Sequence, residues 1–474
     1  MALYETSSYA LAGEYVHPGP PYAMPLANYN GRLSISSKNG IIEFSELYNY
    51  VKELYGYVKG FHLIHEETLK NSYNVLRQSF KEHFKGHVKV LWAVKSLPVK
   101  RVLKILAETE LDGVDVASPQ EAQLASHLEV PMSWSTYTSP LKNEYCLTHV
   151  LKLGIIDIVD SLDELALIEK LVRKHNLPKP KIGIRVNPEL EVELPHPIFT
   201  ASPLSKFGVP LNYVDKLATK IKELGFELKL IHLHIGSQIP EPGLYKTALV
   251  KLSKALKNLD FNALDIGGGL PFNYMAKSQW LELAEQGYAP KFKSHISYEV
   301  DDFAKEISQS VRENFSSVDT LLLEPGRVIV AGAVVTCGEV LGFKQLYTKQ
   351  GHSIGWVIST VSVSELHHKL VEPDLFHHII LADRLNEEEK ATAGVGGDLC
   401  FTGDVITPTN VFLRMPMPKP RECMCVVNTG AYSIAGASNF HRTPRFPILS
   451  ITEKGDILIA RKPEPFDPFS PLDL

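Results

Sequence analysis

The sequence predicts an α/β protein: a parallel (β/α)8 barrel, followed by an antiparallel β domain that also takes in the N-terminal segment. Three observations predict it. From Phe61 to about residue 266, short apolar runs alternate with helical stretches, as a barrel requires. After about residue 320, strand-like runs are joined by loops and helical periodicity is sparse. The chain has 474 residues, 44% hydrophobic and 22% charged, a globular composition with ample core for more than one domain. The expected division is an N-terminal segment at 1–57, a barrel at 58–322 and a β domain at 323–474.

Taken in order, residues 1 to about 30 read as loop, with Pro18, Pro20, Pro21 and Pro25 clustered. Leu33-Ser-Ile-Ser-Ser then alternates like a strand, Lys38-Asn-Gly40 supplies a turn, and a helix is expected from about Phe44 to Tyr55. Eight barrel strands are expected near 61–65, 89–94, 113–116, 132–135, 155–159, 181–186, 228–235 and 263–266. Helices are expected at 66–80, 99–109, 119–128, 161–176, 211–224 and 243–258. Later strands are expected at 319–323, 327–336, 355–363, 376–381, 422–428 and 446–451, and the proline-rich tail from Pro463 to Leu474 reads as extended.

Composition also excludes partners. A formal charge of −5 and the lack of a basic block leave no footprint for nucleic acid. No stretch approaches the length of a membrane span, and the first twenty residues carry no signal-peptide pattern. Five cysteines fit no disulfide framework, and Cys423 and Cys425, alternating with Met424, share one face of a strand. A reducing cytoplasm is the expected location.

In a barrel, functional residues gather at the carboxyl ends of the strands. The run Val88-Lys-Val-Leu-Trp-Ala-Val-Lys95 is apolar but ends in lysine. Either the strand has reached its exposed end, or the amine is drawn toward an apolar interior, where its pKa falls and it can form a Schiff base. The other strand ends offer Asp115 and Ser118, Asp160, Arg185 with Asn187, His234 with Ser237, and Gly267-Gly-Gly269. The glycine triplet matches no dinucleotide or P-loop fingerprint, but backbone N–H groups there can cradle one phosphate. His232 and His234 share a strand face, with no carboxylate or cysteine at metal-ligand spacing, so no metal site is expected. The pairs His367-His368 and His377-His378 read as strand neighbours on opposite faces, half exposed rather than chelating.

Jointly these pieces have a recognisable order. Ala93-Val-Lys-Ser96, Asp115-Val-Ala-Ser118 with Glu121, Arg185-Val-Asn-Pro188, Ser205-Lys-Phe-Gly208 and His232-Leu-His-Ile-Gly-Ser-Gln238 come first. Asp265-Ile-Gly-Gly-Gly269, Glu324-Pro-Gly-Arg327, Cys400 with Asp404, and Gly430-Ala-Tyr432 follow. The chain resembles the fold-type III pyridoxal-phosphate decarboxylases, the family of diaminopimelate, ornithine and arginine decarboxylases, from about residue 33 to 460. The resemblance implies that Lys95 holds pyridoxal 5'-phosphate as a Schiff base, with Asp115 and Arg185 also in the cofactor site. His234 would stack on the pyridine ring and Glu324 would pair with its nitrogen. Ser237, Gly267, Gly268, Gly269, Gly326, Arg327 and Tyr432 would hold the phosphate. It further implies that Cys400 comes from the partner subunit of a homodimer and supplies a proton, while Arg327, Phe401, Asp404 and Tyr432 face the substrate.

The pattern departs from the family at Trp356-Val-Ile-Ser-Thr-Val-Ser-Val-Ser-Glu-Leu366, which lacks the Arg-Pro…Leu-Tyr stretch of diaminopimelate decarboxylases, and at Phe401. Phe401 stands where relatives carry Asp or Glu to read the distal ammonium of a basic amino acid. The expectation is therefore a decarboxylase of an amino acid, or amino-acid conjugate, other than ordinary diaminopimelate or ornithine. A second reading keeps a diaminopimelate or D-ornithine/D-lysine substrate, read through Glu365, Asp404 or Arg442. A third is a catalytically silent regulatory homologue. An alanine-racemase reading is disfavoured by Glu324, because racemases place an arginine there.

Overall fold

A computed structural model describes residues 3–12, 15–16, 21–192, 198–290, 292–349 and 351–465. The part of the tail beyond residue 465, and Pro18 and Pro20 of the proline cluster, lie outside the described residues. Two compact units divide the chain.

The first unit holds Tyr73–Pro271 and Ile296–Val328. Its strands are β1 (His87–Ala93), β2 (Gly113–Val116), β3 (Thr136–Thr138), β4 (Ile156–Val159), β5 (Lys181–Asn187), β6 (Glu227–His232), β7 (Ala263–Asp265) and β8 (Thr320–Leu323). Each pairs in parallel with the next. β8 pairs back onto β1 with Leu323 opposite Val90, and the barrel closes. Side chains such as Leu91, Ile156, Leu230 and Leu322 pack together, leaving a filled core and not a pore. The intervening helices start on side-chain caps: Ser118 accepts from the Glu121 N–H, Asn143 from Cys146 and Ser161 from Glu164. Each cap is worth about 1 kcal/mol.

A fully buried lysine stitches two of these βα units together. Lys142, just past β3, donates to the Ile158 carbonyl at 2.7 Å and to Glu164 at 2.5 Å, with Asp157 at 3.2 Å. All three side chains of this ion cluster are inaccessible to solvent. Burial pushes the Glu164 carboxyl up to about 8; Lys142 opposes the shift and Asp157 adds to it.

The barrel begins and ends later than the sequence suggested. The run at 61–65, expected as its first strand, is Gly60–His65 in the other unit, where it pairs with Val334–Lys349 and Ile448–Ile451. The run at 319–323, expected in the β domain, is β8. A strand buried on both faces is apolar throughout whichever sheet receives it, so its pattern names no partner. The weak run at 132–135 also shifts, to Thr136–Thr138.

The second unit comprises the described residues of Met1–Ser72, Phe272–His295 and Ile329–Leu474. Its larger sheet runs Tyr4–Ser7, Val411–Met415, Ala391–Gly396, His352–Ser359, Val334–Lys349, Gly60–His65, Ile448–Ile451, Ile457–Arg461. Cys423–Val427 pairs with both Val334–Lys349 and Ile379–Leu381. Most pairings are antiparallel; three are parallel. The N-terminal segment supplies a smaller sheet of Leu11–Ala12, Tyr15–Val16, Leu26–Tyr29, Arg32–Ser37 and Gly40–Glu43, so part of the expected loop is strand. The helix Phe44–Tyr55 covers apolar side chains of both sheets. Residues 327–330, expected to begin a strand, form a short helix, Arg327–Val330. Among the described residues no helix is long and apolar enough to cross a membrane.

Candidate active site

The chemistry-bearing residues of the barrel unit lie at and just beyond the carboxyl ends of its strands. β1 stops at Ala93, and Lys95 sits on the single 3-10 turn Val94–Ser96 that follows. Its amine lies 2.5 Å from Asp115 Oδ2 on β2. The lysine side chain is 39% exposed and the aspartate wholly buried. Lys95 is therefore neither the last residue of a strand nor a bare surface amine; it is a reachable amine anchored to a buried acid. Burial, and then Glu324, push the Asp115 carboxyl up, against the pull of Lys95.

Glu324 follows β8 and is buried. Thr136 on β3 donates to it at 2.6 Å, and His232 Nε2 at the end of β6 lies 3.2 Å away. Burial alone would raise this carboxyl. The charge and hydrogen bond of His232, with Lys95 and Thr136, outweigh it and hold Glu324 below the usual carboxylate range. Asp265, at the end of β7, accepts from the Gly267 N–H at 2.8 Å through one oxygen; its other oxygen is buried without a hydrogen-bond partner. Burial and the adjacent Glu324 push Asp265 well above the usual range, so it keeps its proton while Glu324 stays ionised.

His234 presents a half-buried ring. The Gly268 N–H donates to its Nδ1 at 3.1 Å, which leaves the proton on Nε2. Burial, then Arg185 and Lys95, hold the imidazole neutral. The glycine triplet is demanded by this packing. A Cβ at Gly267 would meet His234 Nδ1 at 2.7 Å, one at Gly268 the Glu324 carbonyl at 2.4 Å, and one at Gly269 the Gly236 carbonyl at 2.5 Å. Gly267 and Gly269 also have φ of +67° and +102°. Buried Arg327 reaches Ser237 Oγ through Nε at 3.3 Å and Nη2 at 3.2 Å. Gly326 leaves room for Ser96, whose Cβ lies 2.9 Å from where its own would be. Arg185, opposite His232 across β5 and β6, lies over the Phe207 ring at 4.4 Å, and burial lowers its pKa.

These residues fit pyridoxal phosphate. They offer an amine for an aldehyde, an ionised acid for a ring nitrogen, a flat neutral ring, and a glycine turn beside a guanidinium and a hydroxyl for a phosphate. Sequence reasoning missed Thr136 and Asp265. Thr136 lies outside the strand expected at 132–135, and Asp265 reads as an ordinary strand residue ahead of the glycines. His232 also needs correction: Asp265 and Glu324 do stand beside it, brought from β7 and β8, with ligand atoms within 4.8 Å.

Cys400, Phe401, Asp404 and Tyr432 belong to the other unit. Cys400 is exposed. Phe401 is 46% exposed and meets the Phe440 ring edge-on at 6.0 Å. Asp404 is buried and accepts from the Val363 and Leu399 N–H groups at 2.8 and 2.9 Å. Tyr432 is half-buried with φ +61°. Glu365 is likewise committed, to His62 at 2.8 Å and the Phe446 N–H at 2.9 Å, and Arg442 is exposed. Of the histidine pairs, His377 and His378 are both buried against expectation, whereas beside buried His368 the neighbouring His367 is half-buried. His368 and His377 join through their Nε2 atoms at 2.7 Å, flanked by Ser433 and the Val427 carbonyl.

Comparison with known proteins places this geometry. A family described as "Pyridoxal-dependent decarboxylase, pyridoxal binding domain" matches residues 70–331. A diaminopimelate decarboxylase of Aquifex aeolicus is 28% identical over 410 residues, covering 84% of this chain and 89% of that protein. A crystal structure of diaminopimelate decarboxylase from M. jannaschii in complex with L-lysine superposes with a TM-score of 0.78 at 23% identity, over 95% of this chain and 97% of that one. A lysine/ornithine decarboxylase of Vibrio vulnificus, complexed with putrescine, gives a TM-score of 0.67 at 20% identity, over 86% and 98%.

Proposed function

Because the chain belongs to the pyridoxal-dependent decarboxylase family, whose cofactor is pyridoxal phosphate, we propose that it removes CO2 from an amino acid or amino-acid conjugate other than ordinary ornithine or diaminopimelate. The observation that carries the decarboxylase reading is Glu324, an acid held ionised in a buried site that also contains a reachable lysine. When bound, the cofactor supplies an electron sink for the electron pair left by CO2 loss. Glu324 accepts a hydrogen bond from a protonated ring nitrogen and keeps it protonated. Lys95 gives the amine for attachment, and Asp115 orients it. His234 would stack on the ring, and Ser237, Arg327 and the glycines 267–269 would take the phosphate. Cys400, contributed by a second copy of the chain, returns a proton to the reacting carbon, which makes a two-fold homodimer the working form.

The substrate reading rests on Phe401. An aromatic ring offers an ammonium a cation–π contact of about 0.5–2 kcal/mol, whereas leaving a buried charge without its partner costs roughly 3–5 kcal/mol. Asp404 and Glu365, the carboxylates that could have replaced the missing acid, are already engaged within their own unit. The distal group of the substrate is accordingly neutral, bulky or conjugated. A diaminopimelate substrate is the second reading, favoured by the relatives that carry that name. A CO2-release screen over L- and D-amino acids, diaminopimelate included, separates the two. Poor turnover of ornithine, lysine and diaminopimelate is expected, with Phe401→Asp moving preference toward basic substrates. Turnover of diaminopimelate by the unaltered chain at about 1–1,000 per second would sink the first reading.

A further inference from the structure

Outside the cofactor site, the β unit brings three cysteines from two strands to one point. Cys337 on Val334–Lys349 stands directly opposite Cys425 on Cys423–Val427, and Cys423, two residues earlier, shares the face of Cys425. The Val427 N–H bonds to the His378 carbonyl, so alternate amides of this strand serve Ile379–Leu381 and turn away from Cys337. Cys337 and Cys425 therefore form a non-hydrogen-bonded cross-strand pair, the class in which facing side chains approach most closely. Their sulphurs are 3.0 Å apart, and that of Cys423 is 4.0 Å from Cys425. All three Sγ atoms lie within 4.8 Å of one another and are buried. Their surroundings are apolar, including Phe44, Leu47 and Val51 of the covering helix, and the Phe44 carbonyl oxygen is 3.9 Å from Cys423 Sγ.

We propose that Cys337, Cys423 and Cys425 hold a thiophilic d10 cation, Zn2+ or Cu+, as a structural site of the β unit. Sulphurs bound at about 2.3 Å to a common centre are about 3.8–4.0 Å apart. The separations in this cluster bracket that value, so a cation needs sub-ångström shifts only. Soft thiolates select these two ions. For Zn2+, the Phe44 carbonyl is the oxygen nearest a fourth position; Cu+ is content with the three sulphurs. A disulfide would employ only two of the sulphurs and leave the third idle. Since the site is closed in the folded protein, the cation is taken up as the sheet forms, releasing the thiol protons.

The test is metal content of the full-length protein, purified with reductant and without chelator. One equivalent of zinc or copper per chain is expected, and the Cys337→Ser/Cys425→Ser double variant should lose it while keeping its pyridoxal phosphate. Displacement by a Cu+-specific chromophoric chelator under anaerobic conditions identifies copper; growth in cobalt, giving a sulphur-to-cobalt charge-transfer band, identifies zinc. If the double variant does not fold, the single variant Cys423→Ser decides: its metal content should fall well below one equivalent while its pyridoxal phosphate is kept. Metal-free protein, a Cys337–Cys425 disulfide in the peptide map, or equal metal in the folded double variant would each overturn the proposal.

Discussion

Two lysine–acid clusters of the barrel differ in how open they leave the amine. Lys142 is wholly buried and its ammonium meets the Ile158 carbonyl, Glu164 and Asp157. Lys95 meets Asp115 at 2.5 Å, yet 39% of its side chain remains open. Both pairs satisfy the rule that a buried charge must be matched. Only the second leaves the amine within reach of a small molecule. Saturation of its donors makes one lysine a rivet between βα units, whereas exposure beside buried Asp115 leaves the other amine reachable.

Exchanging the two lysines' fates is the sharpest way to break this comparison. Lys95→Ala should lower decarboxylation by about 10^4-fold or more, as for other residues that act directly on the reacting group. The fold should survive, because Asp115 can hold a proton once its partner is gone. Borohydride reduction followed by peptide mapping should place the cofactor on Lys95 in the wild type. Retained activity, or a cofactor fixed elsewhere, would make Lys95 merely structural.

Lys142→Met should do the reverse. It strands Asp157 and Glu164 in the interior and should destabilise the protein by roughly 3–5 kcal/mol in urea unfolding. The surviving folded fraction should decarboxylate at the wild-type rate per bound cofactor. A variant of normal stability but impaired chemistry would transfer Lys142 to the active site.

The last effect concerns pH. Burial first, and then Asp157, raise the Glu164 carboxyl from an ordinary 4.5 to about 8, against the pull of Lys142. A group whose folded pKa lies above its unfolded one binds an extra proton in the folded state between the two values. Its stabilising contribution is full below about pH 4.5, declines as pH rises, and is gone above about 8. Thermal midpoints should therefore fall over this range by no more than one proton's worth of linkage. Glu164→Gln should flatten that part of the profile; an unchanged slope would mean that Glu164 is ionised throughout.

The contrast also explains what the sequence could and could not disclose. Lys95 was legible because it ends an apolar run and stands first in a collinear series reaching Glu324 and the glycines. Lys142 was not, because it lies in a polar loop and its acid Glu164 is 22 residues away. Thr136 escaped because its strand was placed four residues too early, and Asp265 because a protonated acid is defined by neighbours from other strands. The strand Ala391–Gly396 was missed because its alanines and glycines dilute the β-branched signal of Thr392 and Val395, although small residues suit its burial on both faces. Some helical stretches, by contrast, declared themselves through their period: Phe44–Tyr55 fell where expected, while Glu144–Lys152 and Val300–Asn314 were not anticipated.

The strand Gly60–His65 has a consequence for how the protein is made. Its six residues are buried, and one of its two partners, Ile448–Ile451, leaves the ribosome about 380 residues later. At roughly 5–20 residues per second, that interval lasts about 20–80 s. The barrel, complete once residue 323 has emerged, can close during the wait. An early apolar strand waits with both edges unpaired until Val334–Lys349 emerges, and with one edge open to another nascent chain until Ile448–Ile451 follows. Synthesis order thus makes the barrel the first body to fold and leaves the N-terminal strand the segment most in need of a chaperone.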